Sequence, residues 1–263
     1  MTNTKPSSAT FEAFFEDPLY LLYKNHLYNF LVRRFIIRRQ LKGRRFESIL
    51  ELGCGISPIL EQARGVTQTD FSWQALRHLR GQVRQGIFHG VNCDAIKLPF
   101  TDETFDCVIC SEVIEHIEED KKALGEMARV LRPGGEVYLT CPVQKKYFGF
   151  DDELVGHFRR YETEELRSEL ACLGLREIQV VAVLGPLEKW IMERVARVFI
   201  EKRRKGASES PLGPALKLLA WVALPFYIVF NYLIAVFVYL QAKNVTLDKA
   251  VSVCFHYQKQ TPN

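Results

Sequence analysis

Ile49-Leu50-Glu51-Leu52-Gly53-Cys54-Gly55 is an apolar strand, carrying one acid, that runs directly into a pair of glycines. Only glycine lets backbone approach a bound nucleotide without a Cβ clash, and the flanking acid is a ready hydrogen-bond acceptor. The stretch reads as a nucleotide-type cofactor loop. A tight turn after a strand would look similar, so the residues that follow decide the matter.

Val66-Thr67-Gln68-Thr69-Asp70-Phe71-Ser72 is a short strand-like run closing on an acid, the place where αβ cofactor sites grip ribose hydroxyls. A third strand, Phe88 to Asn92, ends at Cys93-Asp94-Ala95 ahead of Leu98-Pro99-Phe100, which suits the amino group and face of an adenine ring. The run from Phe105 to Ile117 is expected as a buried strand passing into a helix. Leu131-Arg132-Pro133-Gly134-Gly135-Glu136 then turns into a strand over Val137 to Thr140.

In order and spacing these segments resemble the S-adenosylmethionine-dependent methyltransferases of the seven-stranded class (class I), in their small-molecule and lipid branch, over about Phe46 to Leu184. The resemblance implies S-adenosyl-L-methionine as cofactor and assigns residues to it. Glu51, Gly53 and Gly55 form the methionine-side loop, Asp70 binds ribose with Phe71 beside it, Asp94 and Ala95 meet adenine, and Ser111 lies beneath the methionine portion. Where the family often has a third glycine, this chain has Ser57 followed by Pro58, which stiffens the loop. A nicotinamide site is disfavoured, because its three-glycine fingerprint opening a helix is absent.

The implied fold is α/β, a Rossmann-like seven-stranded, mostly parallel sheet with helices on both faces. A hydrophobic helical insertion separates the sixth strand, Ile178 to Val183, from the seventh, Val251 to Tyr257. The expected divisions are 1–45 (tail and basic amphipathic helix), 46–184 (cofactor-binding core), 185–247 (helical insertion) and 248–263 (final strand and tail). At 263 residues, 48% of them hydrophobic, the chain is long enough to build one such sheet and its helices.

The seven cysteines are an odd number and lie mostly within apolar strands, which argues for reduced thiols in a cytoplasmic setting. Cys107 and Cys110 have the spacing of a metal pair, yet three residues apart on a strand they face opposite sides, and no second pair follows; no metal site is expected.

Residues 1–10 are polar, with no apolar run of the kind a secretory signal carries, and are expected to be disordered. A helix is expected from Asp17 and Pro18 through Phe35, ending in a basic cluster of Arg33, Arg34, Arg38, Arg39, Lys42, Arg44 and Arg45. Such a cluster suits an anionic membrane surface, an anionic substrate or nucleic acid, or is simply a solvated helix face. Nucleic acid is not expected, since no recognition module accompanies it.

Leu218 to Ala242 carries no charge and is long enough to cross a bilayer. It lies between two strands that pair in this fold, so a single crossing would separate the sheet. Pro225 is expected to split it into two shorter helices entering one leaflet, after a basic amphipathic helix over Leu187 to Lys205 and a linker over Gly206 to Pro214. The alternative is a dimerisation or lid element buried on protein, which keeps a homodimer open. Peripheral or monotopic association with a cytosolic membrane face is the preferred reading.

The acceptor side is expected in Gly156-His157-Phe158-Arg159-Arg160-Tyr161, ahead of a helix that Thr163 would cap. The pattern resembles family members that act on sugars, glycolipids or polyprenyl-linked material. His157 is the first candidate base and His116 the second, since methylation of a hydroxyl requires removal of its proton. Arg159, Arg160 and Tyr161 are candidate acceptor-binding residues; salt bridges to Asp151, Asp152 or Glu153 are the alternative for the arginines. The expected activity is O-methylation of a lipid, isoprenoid or lipid-linked sugar. A methyltransferase of soluble substrates and a non-catalytic cofactor-binding partner of a membrane enzyme are the rivals.

Overall fold

In the computed structural model the described residues are 18–60, 65–83, 88–194 and 214–261. The expectations for residues 1–10, for 195–205 of the basic amphipathic helix and for the linker at 206–213 lie outside them.

Seven strands form one sheet: β1 (Ile49–Leu52), β2 (Val66–Asp70), β3 (His89–Asn92), β4 (Phe105–Ser111), β5 (Leu131–Pro142), β6 (Leu175–Leu184) and β7 (Ser252–Lys259). Their order is β3-β2-β1-β4-β5-β7-β6. The first five are parallel, and β7 runs antiparallel to both β5 and β6. Winding proceeds outward in both directions from β1, which lies between β2 and β4, and such a switch point opens a crevice at the strands' carboxyl ends.

Period-two alternation in the strands feeds two cores. On one face Leu50, Val108, Cys110, Leu139 and Phe255 pack with Leu124 and Met127 of α4 (Asp120–Val130) and Leu166 and Leu170 of α6 (Thr163–Cys172). On the other, Ile49, Cys107, Ile109, Tyr138 and Cys254 meet Phe30, Val32, Ile36 and Ile37 of α2 (Tyr28–Leu41) and Ala235 and Val238 of α8 (Pro214–Ala242). Cys107 and Cys110 thus lie on opposite faces, and all seven cysteines are free thiols. The remaining helices are α1 (Pro18–Tyr23), α3 (Trp73–Gln82), α5 (Phe150–Val155) and α7 at 186–194.

The structure corrects several local expectations. The leading helix is two helices, α1 and α2, joined by a 3₁₀ turn over Lys24–His26 and broken where Leu27 takes extended backbone (ψ 131°). Pro225 does not split the apolar insertion: α8 runs unbroken for 29 residues. One proline removes one N–H, and its neighbours Val222, Ala223, Leu224, Phe226 and Tyr227 include no turn residue that would end the helix. Thr163 is not the cap of α6. Glu162 holds that position without a side-chain bond, while Glu164 and Glu165 occupy the first turn. Nor is the basic cluster one solvated face, because Arg33 is buried toward Glu112, Arg38 donates to the Ile59 carbonyl and Arg44 pairs with Glu136.

Candidate active site

The carboxyl ends of β1, β2 and β4 open into a cleft of about 1150 Å³. That is somewhat larger than the usual small-molecule site of about 300–1,000 Å³. Its far wall comes from α2, through Phe30 and Arg33, and from the segment carrying Asp152, His157 and Arg160.

The cofactor-side residues share this cleft. Gly53 and Gly55 both have positive φ, 64° and 54°. A Cβ on Gly53 would fall 2.5 Å from Val113 Cγ2, whereas one on Gly55 would meet nothing within 4 Å, so the loop is closed against protein at the first glycine and open at the second. Glu51 is buried and accepts from the Ile59 and Leu60 amides, which fixes the far end of the loop; burial pushes its carboxyl up to about 7.

Asp70 Oδ2 accepts from Gly55 N at 2.7 Å and Oδ1 from Ser72 N at 2.8 Å. Burial raises its pKa against the pull of these two amides. A carboxylate has about four acceptor positions, so bracing two amides leaves room for two hydroxyls. Phe71 is 63% exposed on the cleft wall. Asp94 is exposed and caps the Ile96 amide at 3.1 Å, with Ala95 beside it. Ser111 ends β4, its hydroxyl 2.9 Å from that of Thr140. The implied cofactor fits this set: open space over Gly55, acids at successive strand ends and an exposed ring beside the ribose candidate.

On the acceptor side His157 Nδ1 lies 2.7 Å from Asp152 Oδ1. Asp152 is buried, which alone would push its carboxyl up, but hydrogen bonds from His157 and Arg160 hold it well below the usual carboxylate range. Lys189 Nζ adds a contact at 3.0 Å to the same carboxylate and one at 2.5 Å to Asp151. The sequence places Lys189 among the basic residues of an amphipathic helix; in the fold it is 6% exposed. His116 packs edge-on to His157, ring centroids 4.7 Å apart, and burial, with the neighbouring imidazole adding to it, lowers its pKa to about 3. It is a neutral, weakly basic imidazole at ordinary pH.

Of the three acceptor candidates only Arg160 lines the cleft, committed by its Nε to both oxygens of Asp152 at 2.9 Å. Arg159 donates to Asp120 Oδ1 (2.8 Å) and to the Glu118 carbonyl (2.8 Å). Tyr161 donates to Asp120 Oδ2 at 2.8 Å, and burial with that neighbouring acid raises its pKa. Both fasten the 156–161 strap to the start of α4. Sequence reading passed over Glu112 and Glu115, although both flank His116 in Ser111-Glu112-Val113-Ile114-Glu115-His116 and line or back the cleft. Glu112 has φ 56°, an unusual conformation for a non-glycine residue.

In sheet order, loop and cleft the chain is similar to class I S-adenosylmethionine-dependent methyltransferase domains, the class whose cofactor is S-adenosyl-L-methionine. Residues 50–139 match the family model described as a methyltransferase domain. The chain is 36% identical over 99 residues to a phosphatidylethanolamine N-methyltransferase of Cereibacter sphaeroides, covering 35% of this chain and 49% of that one. It is 38% identical over 117 residues to a demethylmenaquinone methyltransferase of Clavibacter sepedonicus, covering 40% and 46%. Thus the chain spans about half the length of the curated relatives it matches. Among solved structures, a possible histamine N-methyltransferase of Thermotoga maritima superposes with TM-score 0.59 at 17% identity, over 90% of this chain and 92% of that one. Phosphoethanolamine N-methyltransferase 2 of Haemonchus contortus, in complex with S-adenosyl-L-methionine, gives TM-score 0.56 at 18% identity, over 95% and 60%.

Proposed function

We propose that this chain transfers a methyl group from S-adenosyl-L-methionine to a hydroxyl of a lipid, isoprenoid or lipid-linked sugar at a membrane surface. The observation that carries the lipid part is the position of α8. Its segment Trp221–Ala242 has a mean hydropathy of 2.0 and is only 17% buried, while Asn231, Ala235, Val238 and Ala242 form a narrow stripe packed on the body of the protein. The helix that shares this face of the sheet, α2, also walls the cleft through Phe30 and Arg33. An apolar acceptor held along α8 would have a short route to the site. The named activities of the relatives in lipid and quinone methylation agree with such an acceptor.

The cofactor, when bound, supplies an electrophilic sulfonium methyl. Asp70 would hold its ribose, and the Gly53–Gly55 turn would receive the methionine portion. His157, oriented through Nδ1 by Asp152, would act through Nε2 as the general base; His116 is the weaker candidate. Positioning and alignment supply most of the rate and the base a further factor of about 10²–10⁴.

The test is transfer of label from S-[methyl-³H]adenosylmethionine into the lipid fraction of vesicles made from a total lipid extract. Wild-type protein should label lipid, and His157→Ala should lower turnover by about 10²–10⁴ with cofactor affinity kept. Labelling of aqueous acceptors alone would favour the soluble-substrate reading.

A further inference from the structure

The turn Ile114–His116 after β4 places Glu115 and His116 side by side, and the strap at 156–158 returns over them, with Phe158 N donating to the Glu115 carbonyl at 2.8 Å. Glu115 is 0% exposed, and neither of its carboxylate oxygens has a hydrogen-bond partner among the described residues. An unpartnered carboxyl at that depth is costly whether charged or neutral. What faces it is nitrogen. His157 Nε2 lies 3.8 Å from Glu115 Oε1, and one donor atom from each of Glu115, His116 and His157 falls within 4.8 Å of the others.

The backs of the two rings are arranged alike. His157 Nδ1 is 2.7 Å from Asp152 Oδ1, and His116 Nδ1 is 3.3 Å from the Gly156 carbonyl. With Nδ1 the donor in both, each ring carries its lone pair on Nε2. Acceptors behind Nδ1 are the usual support of metal-binding histidines, because they fix tautomer and ring plane. Two ligands about 2.1 Å from one ion stand at most about 4.2 Å apart. The 3.8 Å pair already meets that limit, and a separation at the 4.8 Å bound would have to close by about 0.6 Å to reach it.

We propose that Glu115, His116 and His157 bind one first-row divalent cation, of the zinc, cobalt or nickel type that suits two imidazoles and a carboxylate. Three protein ligands leave coordination positions open toward the cleft, the pattern of catalytic and not of closed structural sites. The site stands on this geometry alone. Its use in catalysis rests on the methyltransferase reading: the cation would lie at the acceptor end of the cleft, and His157 would serve there as ligand, with the cation taking over activation of the hydroxyl.

The experiment is titration of chelator-treated full-length protein with cobalt(II) chloride, followed by visible absorption and repeated with competing zinc. One equivalent of cobalt with ligand-field bands of nitrogen and oxygen coordination, displaced by zinc, is expected. Glu115→Gln and His157→Ala, with folding checked by circular dichroism, should each weaken binding at least tenfold, and Cys172→Ser, at an exposed thiol, should not. Should either cleft variant fail to fold, the wild-type spectrum still decides. No stoichiometric cobalt, or a spectrum dominated by thiolate charge transfer, overturns the proposal. Parallel titration with S-adenosyl-L-methionine separates the two readings, since cofactor binding without cobalt binding sinks the cation site and leaves the methyltransferase reading standing.

Discussion

Asp70 does two jobs with one carboxylate, bracing the amides of Gly55 and Ser72 while keeping lone pairs for a ligand. Gly53 is the complementary case, a residue that no side chain can replace. Its φ of 64° and the 2.5 Å separation that a Cβ there would have from Val113 mean that Gly53→Ala should cost about 1–3 kcal/mol in urea unfolding. An unchanged midpoint would show that Val113 yields freely. Both residues were legible in the sequence because strand, glycine and acid follow one another within a few positions. Lys189 was not. A lysine at helical spacing among Arg194, Arg197 and Lys202 reads as solvated, and only the fold brings Asp151 and Asp152 across from the far side of β6 to neutralise it. Glu115 escaped for the same reason: its neighbours His116 and His157 are distant from each other along the chain. The expectation of no metal weighed cysteine spacing and left the histidines out.

At the scale of elements the contrast is between α2 and α8, which cover the same face of the sheet. The apolar pattern of α8 was plain in the sequence, but its continuity through Pro225 was not, since a proline in an apolar run permits either a break or a tolerated bend. The packed stripe of Asn231, Ala235, Val238 and Ala242 leaves Phe226, Phe230 and Leu233 outward on one face, the first of them 77% exposed. Tyr28 N donates to Asn231 Oδ1 at 3.1 Å and ties the two helices together. Replacing all three outward residues by glutamate should leave the melting temperature nearly unchanged. Co-sedimentation with anionic phospholipid vesicles should fall at least about a hundredfold, given roughly 1.5–3 kcal/mol for each apolar side chain buried. If vesicle binding persists and a dimer dissociates instead, the face serves a second copy.

At the scale of the whole molecule the seven-stranded, mostly parallel sheet was implied by the family resemblance, whereas the strand order and the antiparallel direction of β7 come from the structure. The global pH dependence carries a signature of the cofactor loop. Glu51 has a folded pKa of about 7 against an ordinary 4.5, so the folded state binds its proton more tightly. Its contribution to stability is full below about pH 4.5 and is lost as pH rises through 7. Glu188, buried beside Tyr28, behaves alike. The stability of Glu51→Gln relative to wild type should therefore improve between pH 5 and pH 8 in calorimetric melts, and a difference that is flat with pH would show that Glu51 titrates normally. Cofactor binding itself is tested by calorimetric titration of purified protein with S-adenosyl-L-methionine, alongside NAD and alongside Asp70→Ala. One bound S-adenosyl-L-methionine is expected, with no NAD, and with affinity about 10–100-fold weaker in a still-folded Asp70→Ala. Failure of well-folded wild-type protein to bind S-adenosyl-L-methionine, or equal binding by the variant, would contradict the assignment of this cleft.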